Sequence, residues 1–357
     1  MNITLQEERK KERIEYLDAL RGFTMILVIL NHVAAYNLGV DVYSEENLHF
    51  YLRLFRMPLF FFVSGFVFYK ANFFDTFGNI ITFIKKKLFV QIISPFLFFL
   101  CYIHFMDLPY IESIMSDTKV GYWFTFTLFS YFIIYIIIRS ILKVFKIKES
   151  HSLIILFIIG FLLYNFSARY YISKFCGIPT DILNFIGAGR LHYFSFFILV
   201  IIIRKNFKSF ECILDKAVLI IIAVLTFFLI NIFIDYNGMN ELISQNIKFV
   251  LAISGIIIVF SFFRKNTTYF RQEGLISKTL QYIGKRTLDI YLIHFFFLSY
   301  NMPKIVTYFT EHNLPIYEFT LSLVMTTIII SLCLLVGSIL RISPTMAHYL
   351  FGAKEKK

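Results

Sequence analysis

The chain has 357 residues, of which 58% are apolar, and its mean hydropathy is +0.71. Soluble domains hold about 45–50% apolar residues, so the composition excludes a soluble globular protein. The net charge of +12 could indicate a nucleic-acid partner, but the basic residues form short clusters between apolar blocks, as at Lys85, Lys86 and Lys87. Such clusters are typical of the signals that orient membrane proteins, and no nucleic-acid partner is expected.

Apolar residues recur in blocks of about 17–22, the length that a helix needs to cross about 30 Å of hydrocarbon. We therefore predict an all-α, polytopic membrane protein with a single domain over residues 1–357 and about ten spanning helices. The predicted spans are 19–38, 49–69, 88–106, 122–142, 152–172, 184–203, 217–235, 247–263, 287–303 and 317–340. No small-residue cleavage site follows the first block, so it is expected to remain as a span rather than leave as a signal peptide.

The distribution of basic residues predicts the orientation. With a cytoplasmic N-terminus, 27 of the 35 Lys and Arg residues fall on the cytoplasmic side, which is the excess that cytoplasmic loops carry. The eight on the outer side are Arg53, Arg56, Lys119, Arg169, Lys174, Arg190, Lys248 and Lys304. Both ends are therefore predicted to be cytoplasmic, with short tails at about 1–18 and 341–357.

The four cysteines give no sign of a disulfide or a metal site. They are far apart and form no CxxC pair; they are Cys101, Cys176, Cys212 and Cys333. We expect them to pack as small apolar residues, and we expect no metal and no bound cofactor.

The first span carries ionisable residues at membrane depth, where their cost makes each one a functional candidate. Arg21 and His32 are eleven residues apart, which is only about 20° from three full turns, so they share one helix face about 16 Å apart along the axis. Asp18, Thr24 and Tyr36 lie within about 60° of the same line. The alternative is that Arg21 extends to the inner interface and His32 bonds a neighbouring helix.

The second span begins with two arginines one turn apart, Arg53 and Arg56, and Arg53 shares a face with Ser64. Such a pair would suit an anionic substrate or the oxyanion of an acyl transfer, although lipid headgroups could equally be their partners. Pro58 and Gly65 would allow a close helix approach or a local break.

Later spans add weaker candidates. Tyr291 and His294 share a face of the ninth span, although a lone histidine in an apolar helix is more often structural. Arg190 and His192, near the outer end of the sixth span, could line an acceptor site. Trp123, the only tryptophan, is expected to be an interfacial residue.

Five stretches of the chain resemble the acyltransferase 3 family, whose members are integral-membrane enzymes that O-acylate carbohydrates. They follow in the family's order: LDALRGFTMILVILNH, FRMPLFFFVSGF, YWFTFTLF, GRLHYFSFF and GKRTLDIYLIH. The resemblance implies ten spans, an acyl-coenzyme A donor from the cytoplasm and an acceptor glycan that is usually outside. It also implies that Arg21 and His32 are the essential pair and that Asp18 is the acidic position before them.

We therefore expect an O-acyltransferase, in the first instance an acetyltransferase, in a bacterial inner membrane that modifies a cell-surface or lipid-linked polysaccharide. His32 would act as general base or as a transient acyl carrier, and Arg21, with Lys86 or Arg286, would hold the donor. Arg53, Arg56, Ser64, Arg190, Tyr291 and His294 are the candidates for donor or acceptor binding. Many members carry an appended extracytoplasmic esterase-like domain that this chain lacks, so a partner protein could relay the acyl group.

Two other classes of function are compatible with the residues. A transporter or flippase for a glycolipid or small anion could use the same polar face as a pathway, although no repeated halves are visible. A membrane sensor or scaffold is disfavoured because no soluble output domain is predicted.

Overall fold

The computed structural model describes residues 15–45, 47–69, 76–166, 173–174, 177–235, 238–271, 274–298, 307–308, 312 and 314–353. Every regular element within these ranges is a helix, which confirms the all-α prediction. Several predicted features lie outside the described residues: the tail segments 1–14 and 354–357, the ends of the fifth and ninth spans at 167–172 and 299–303, and Lys70, Arg169, Cys176 and Lys304.

The helices follow one another with short connections. In chain order they are α1 Glu15–His32, α2 Leu48–Phe68, α3 Phe77–Leu88, α4 Ser94–Phe105, α5 Tyr110–Met115, α6 Trp123–Val144, α7 Glu149–Asn165 and α8 Thr180–Phe185. They continue as α9 Phe194–Lys205, α10 Phe207–Leu214, α11 Ala217–Phe233, α12 Glu241–Lys265, α13 Thr267–Arg271, α14 Leu275–Lys285, α15 Thr287–Ile293, α16 Pro315–Leu340 and α17 Pro344–Phe351. Between them lie 3₁₀ segments at Lys119–Gly121, Ala188–Tyr193 and His294–Phe297 and π-helical turns at Val33–Asn37 and Phe89–Ile93.

Six helical runs in the described part of the chain are long and apolar enough to cross a membrane. They are Glu15–Asn37, Leu48–Phe68, Phe77–Phe105, Trp123–Val144, Glu241–Lys265 and Pro315–Leu340. The number becomes seven when α10 and α11, which meet at 71°, are taken as one broken span. Each of these runs corresponds to one of the ten predicted blocks.

The other three predicted blocks contain shorter helices. The blocks at 152–172 and 287–303 hold Glu149–Asn165 and Thr287–Phe297, and the block at 184–203 holds the 12-residue α9. In that last block the first half is a 3₁₀ segment, because Gly187 at φ 79° and Arg190 at φ −122° leave the α conformation. Hydropathy detects the apolar content of such a block but not the backbone break.

The two π-helical turns lie within long apolar helices. The turn at Phe89–Ile93 precedes α4, whose second residue, Pro95, has no N–H to donate to the Gln91 carbonyl, so the regular bonding pattern cannot continue there. The turn at Val33–Asn37 follows directly after His32. Single π-helical turns of this kind are frequent at functional sites.

The closest helix contact joins α1 to α14, backbone against backbone. A Cβ atom added to Gly22 would overlap the Leu280 carbonyl, and one added to Gly284 would overlap the Asp18 carbonyl. Only glycine at both positions lets the helix axes approach this far. This contact determines the position of α1, along its own axis, relative to the segment that follows α14.

A buried ionic contact holds that following segment to the end of α16. Asp289 is 1% exposed, and its carboxylate accepts two bonds of 2.6 Å from Arg341 and one of 3.0 Å from Arg286. Bidentate arginine–carboxylate pairs are strong and geometrically specific. Asp289 therefore anchors α15 to the C-terminal end of α16.

We expect Gly284→Ala to lower the free energy of unfolding by about 1–3 kcal/mol, because the added methyl group must push α14 away from α1. Thermal unfolding of the detergent-purified protein measures this effect. Gly274→Ala is the matched control, since nothing lies within 4 Å of a Cβ atom there. Equal unfolding temperatures for the two variants would contradict the close backbone contact.

Candidate active site

Arg21 projects from the first turns of α1 towards α15. Its Nη2 donates to Thr287 Oγ1 at 2.9 Å, and its Nη1 lies 3.7 Å from Asp18 Oδ1. Thr287 in turn donates to the Gly284 carbonyl at 3.0 Å. The guanidinium is thus oriented by two neighbours while its side chain keeps 36% of its surface exposed.

His32 meets His294 at the other end of the same face. His32 Nδ1 lies 3.0 Å from His294 Nε2, and the two rings are nearly parallel at 14° with centroids 5.2 Å apart. His294 is fully buried, and its Nδ1 lies 3.0 Å from the Ile290 carbonyl.

These two hydrogen bonds determine where the protons are when both rings are neutral. The Ile290 carbonyl can only accept, so the His294 proton is on Nδ1, and His294 Nε2 is an acceptor. His32 must then donate from Nδ1, which leaves a lone pair on His32 Nε2. The pair therefore holds the His32 ring in the tautomer that a general base needs.

Two cavities lie along α1, and three aromatic rings separate them. The inner cavity, near the predicted cytoplasmic ends, has a volume of about 200 Å³, and its polar lining is Arg21, Thr24, Ser64, Lys87, Gln91, Thr125 and Thr287. The middle cavity has about 20 Å³ and is lined by Val28, His32, Met57, Gly121 and Trp123. Phe60, Phe124 and Tyr291 line both cavities.

The three rings of the aromatic partition between the two cavities contact one another or the neighbouring backbone. The Phe60 and Phe124 rings meet edge to face at 4.3 Å. Tyr291 donates its hydroxyl to the Gly121 carbonyl at 3.1 Å and accepts from the Phe124 N–H at 3.2 Å. The hydroxyl of Tyr291, a predicted binding residue, is thus bound to the backbone at the start of α6.

Gly121 shapes the middle cavity from the outer side. Its φ is 98°, and a Cβ atom there would overlap the Phe295 ring, which also packs on His32 with centroids 5.3 Å apart. The loop before it is held by Lys119, whose ammonium donates to the carbonyls of Ile114 at 2.7 Å and Ser116 at 3.4 Å.

The candidates on α2 separate into three places. Ser64 lines the inner cavity and donates to its own helix at the Phe60 carbonyl. Arg56 is 7% exposed, its Nε and Nη1 make no hydrogen bond within the described residues, and its charge acts on the His32 ring. Arg53 lies further out, 4.1 Å over the Tyr43 ring. The three therefore do not form one cluster.

A third, outer cavity of about 430 Å³ contains Arg190 and Arg53. Its lining is Arg53, Leu54, Pro58, Asp117, Leu163, Tyr164, Phe166, Gly189, Arg190, Leu191, His192, Tyr193, Gln245 and Lys248. Arg190 lies 4.5 Å over the Trp123 ring, and Trp123 stacks on Tyr193 at 6.2 Å. Trp123, predicted as an interfacial residue, thus stands between the middle and outer cavities.

Sequence reasoning missed some of the residues that line these cavities. Phe60 and Phe124 carried no signal among 46 phenylalanines. Gln91 did carry one, as a lone amide in an apolar run, and Lys87 belonged to the Lys85–Lys87 cluster, of which only Lys86 was expected to hold the donor. Within the described residues, no three His, Cys, Asp or Glu side chains converge as metal ligands.

A family model described as an acyltransferase domain, that of the acyltransferase 3 family, matches residues 14–335. The chain belongs to the acyltransferase 3 family. No curated protein and no solved structure gives a significant match. The family match covers α1 to α15 and most of α16, and so includes all three cavities. With its long apolar helices, the protein is an integral-membrane acyltransferase.

We expect Tyr291→Phe to lower the free energy of unfolding by about 1–3 kcal/mol, because the Phe124 N–H and the Gly121 carbonyl lose a partner in an apolar setting. Thermal unfolding measures the change. Tyr282→Phe is the control, since that ring is 43% exposed. An unchanged unfolding temperature for Tyr291→Phe would contradict the role given to its hydroxyl.

Proposed function

We propose that this acyltransferase transfers an acetyl group from acetyl-coenzyme A to a hydroxyl of a cell-surface or lipid-linked polysaccharide. The observation that carries the proposal is the row of cavities, with Arg21 in the inner one, His32 in the middle one and the outer cavity beyond. This arrangement suits a donor that stays at the cytoplasmic face and an acceptor that comes from outside. The proposed location is a bacterial inner membrane.

The inner cavity is the proposed donor site. Arg21 and Lys87 supply positive charge for the phosphates of coenzyme A. Polar groups between them and the middle cavity come from Thr24, Ser64 and Gln91. The donor-binding role that was expected of Lys86 is assigned to Lys87, because Lys86 is exposed and Lys87 lines the cavity. Arg286, the other expected donor-binding residue, is bound to Asp289 at 3.0 Å, so we give it no donor role.

The middle cavity is the proposed site of transfer. His32 Nε2 takes the proton of the acceptor hydroxyl while the hydroxyl oxygen attacks the carbonyl carbon of the thioester. The C–S bond then breaks, and the coenzyme A thiolate takes the proton from His32. His294 Nε2 accepts the Nδ1 proton of His32 throughout, so the cationic ring keeps its hydrogen bond. An acyl-histidine on the same nitrogen is the alternative route.

Arg56 supplies the charge that the tetrahedral intermediate needs. Its buried guanidinium has two nitrogens without a hydrogen-bond partner among the described residues, and the next residue, Met57, lines the middle cavity. A preorganised cation in a water-poor site stabilises a developing oxyanion strongly.

The size of the middle cavity favours a short acyl group. A volume of about 20 Å³ holds little more than one water molecule, which needs about 10–15 Å³. An acetyl group requires only a small displacement of Phe60 and Phe124, whereas a long acyl chain would have to displace the whole aromatic partition. The outer cavity has room for the acceptor, so we propose direct transfer rather than a relay through a partner protein.

Ion pairs and hydrogen bonds support the proposed ten-span path of the chain, and the distribution of Lys and Arg gives its proposed orientation, with both termini in the cytoplasm. The pairs join segments that were assigned to the same side, although the assignment used only Lys and Arg positions. The inner pairs are Arg139–Glu149, Lys205–Glu149, Arg264–Asp215 and Arg341–Asp289. The outer pairs are Arg190–Asp117 and Asn47–Glu318. In this topology three of the spans contain helices that are too short to be identified as spans by helix length alone. They are α7, α9 and Thr287–Phe297.

A transporter or flippase, the alternative from the sequence, could also use a row of cavities. The two functions differ in chemistry, because only a transferase consumes the thioester. Release of free thiol from acetyl-coenzyme A by the purified protein distinguishes them.

We expect His32→Ala to abolish acetyl transfer and His294→Ala to lower kcat by about 100-fold or more, with KM for acetyl-coenzyme A nearly unchanged. Transfer of labelled acetyl from acetyl-coenzyme A into membrane glycan, together with thiol release, is the measurement. His151→Ala, an exposed histidine on α7, is the control. Full activity of a well-expressed His32→Ala variant would overturn the mechanism.

For the topology, we expect a cysteine at Lys216 to be labelled only from the cytoplasmic side and one at Asn240 only from outside, in a cysteine-free background. The two positions flank α11 and are both exposed. Labelling of both from the same side with an impermeant maleimide would contradict the proposed path of α11.

A further inference from the structure

The outer cavity carries an excess of positive charge. Arg53, Arg190 and Lys248 line it, and Asp117 is the one carboxylate among its described lining residues. Asp117 lies 3.5 Å from Arg190, and Glu45 acts on Lys248 from outside the lining. The Nε atoms of Arg53 and Arg190 are buried and make no hydrogen bond within the described residues. A lining with this net charge and these donors suits an anionic ligand.

Aromatic rings form part of the same lining. Tyr193 and Tyr164 both face the cavity, and His192 packs on Tyr193 with centroids 4.1 Å apart. Tyr193 stacks on Trp123 at 22° between the ring planes. Flat rings beside charged donors suit a sugar, whose C–H face packs on an aromatic surface while its polar groups reach the donors.

The outer cavity adjoins the cavity of the proposed base. Trp123 lines the middle cavity with His32, and on its other side it contacts Arg190 and Tyr193 of the outer cavity. Met57 of the middle cavity is next in the chain to Pro58 of the outer cavity. A ligand in the outer cavity would therefore lie beside residues that also contact the lining of the His32 cavity.

We propose that the outer cavity is the acceptor site and that it selects a sugar bearing an anionic group, a phosphate or a carboxylate, rather than a neutral glycan. This inference rests on the proposed function for its catalytic meaning, but binding can be measured without any acyl transfer. The cations hold the acidic group, and the aromatic rings hold the sugar ring beside the Trp123 boundary.

The chain's only tryptophan stands at this boundary and serves as the reporter. The full-length protein in phosphatidylcholine nanodiscs is titrated with glucose 1-phosphate, glucuronic acid, glucose and inorganic phosphate while Trp123 fluorescence is recorded. Saturable responses are expected to both anionic sugars, with glucose and inorganic phosphate each at least tenfold weaker. The same titration with phosphatidylglycerol in the nanodiscs tests whether an anionic headgroup occupies the site instead.

Two substitutions change the charge of the lining in opposite directions. Lys248→Gln removes a cation and is expected to weaken binding of glucose 1-phosphate about tenfold. Asp117→Asn removes the lining carboxylate and is expected to strengthen it severalfold. Lys216→Gln, an exposed lysine at the opposite end of the α11–α12 pair, is the control and should bind as the unchanged protein does.

Four results of the binding measurements would overturn the inference. Equal affinity for glucose and glucose 1-phosphate would show that the cavity does not select an anionic group. Equal affinity for inorganic phosphate and glucose 1-phosphate would show that it does not recognise the sugar. Loss of the response in phosphatidylglycerol would assign the cavity to a lipid headgroup, and no response to any probe would exclude an acceptor site there. If the probes bind as expected but His32→Ala still transfers acetyl, the proposed mechanism fails and the binding site remains.

Discussion

The backbone contact between α1 and α14 is the constraint on which the site depends. Gly22 and Gly284 bring the backbones of the two helices into contact, and a side chain at either position would overlap the backbone of the other helix. Thr287 and His294 follow within ten residues of Gly284 and meet Arg21 and His32. One glycine pair thus positions two contacts of the candidate site at once, because Arg21 and His32 share a face of the same helix.

The contacts on α1 also explain why a membrane protein tolerates so many polar groups there. Ionisable side chains in hydrocarbon are stabilised only when their polar atoms find partners or line a polar space. Arg21 has Thr287 and Asp18, and His32 has His294, which is itself satisfied by the Ile290 carbonyl. The one-way direction of that last bond, from ring to carbonyl, keeps a basic nitrogen of His32 available. Structure and chemistry therefore depend on the same hydrogen bonds.

Much of this architecture follows from residue spacing, and the rest depends on contacts between distant segments. Block length predicted the six long helical runs, and helical periodicity put Arg21 and His32 on one face. The His32–His294 pair joins residues 262 positions apart, so no local pattern contained it. The described residues are already helical at Glu15, before the predicted block begins at residue 19. A hydropathy block leaves out charged residues such as Glu15 and Asp18 even where they are helical.

The aromatic partition of Phe60, Phe124 and Tyr291 separates the inner cavity from the middle cavity. The Tyr291 hydroxyl is bound to the backbone at the start of α6, at Gly121 and Phe124. A flexible pantetheine arm can displace two phenylalanine side chains, whereas displacing Tyr291 would break two hydrogen bonds in an apolar setting. In the proposed mechanism the thioester therefore enters past Phe60 and Phe124, beside α2. Such a route would end beside Met57, the chain neighbour of the buried Arg56 that we propose as the counter-charge of the oxyanion.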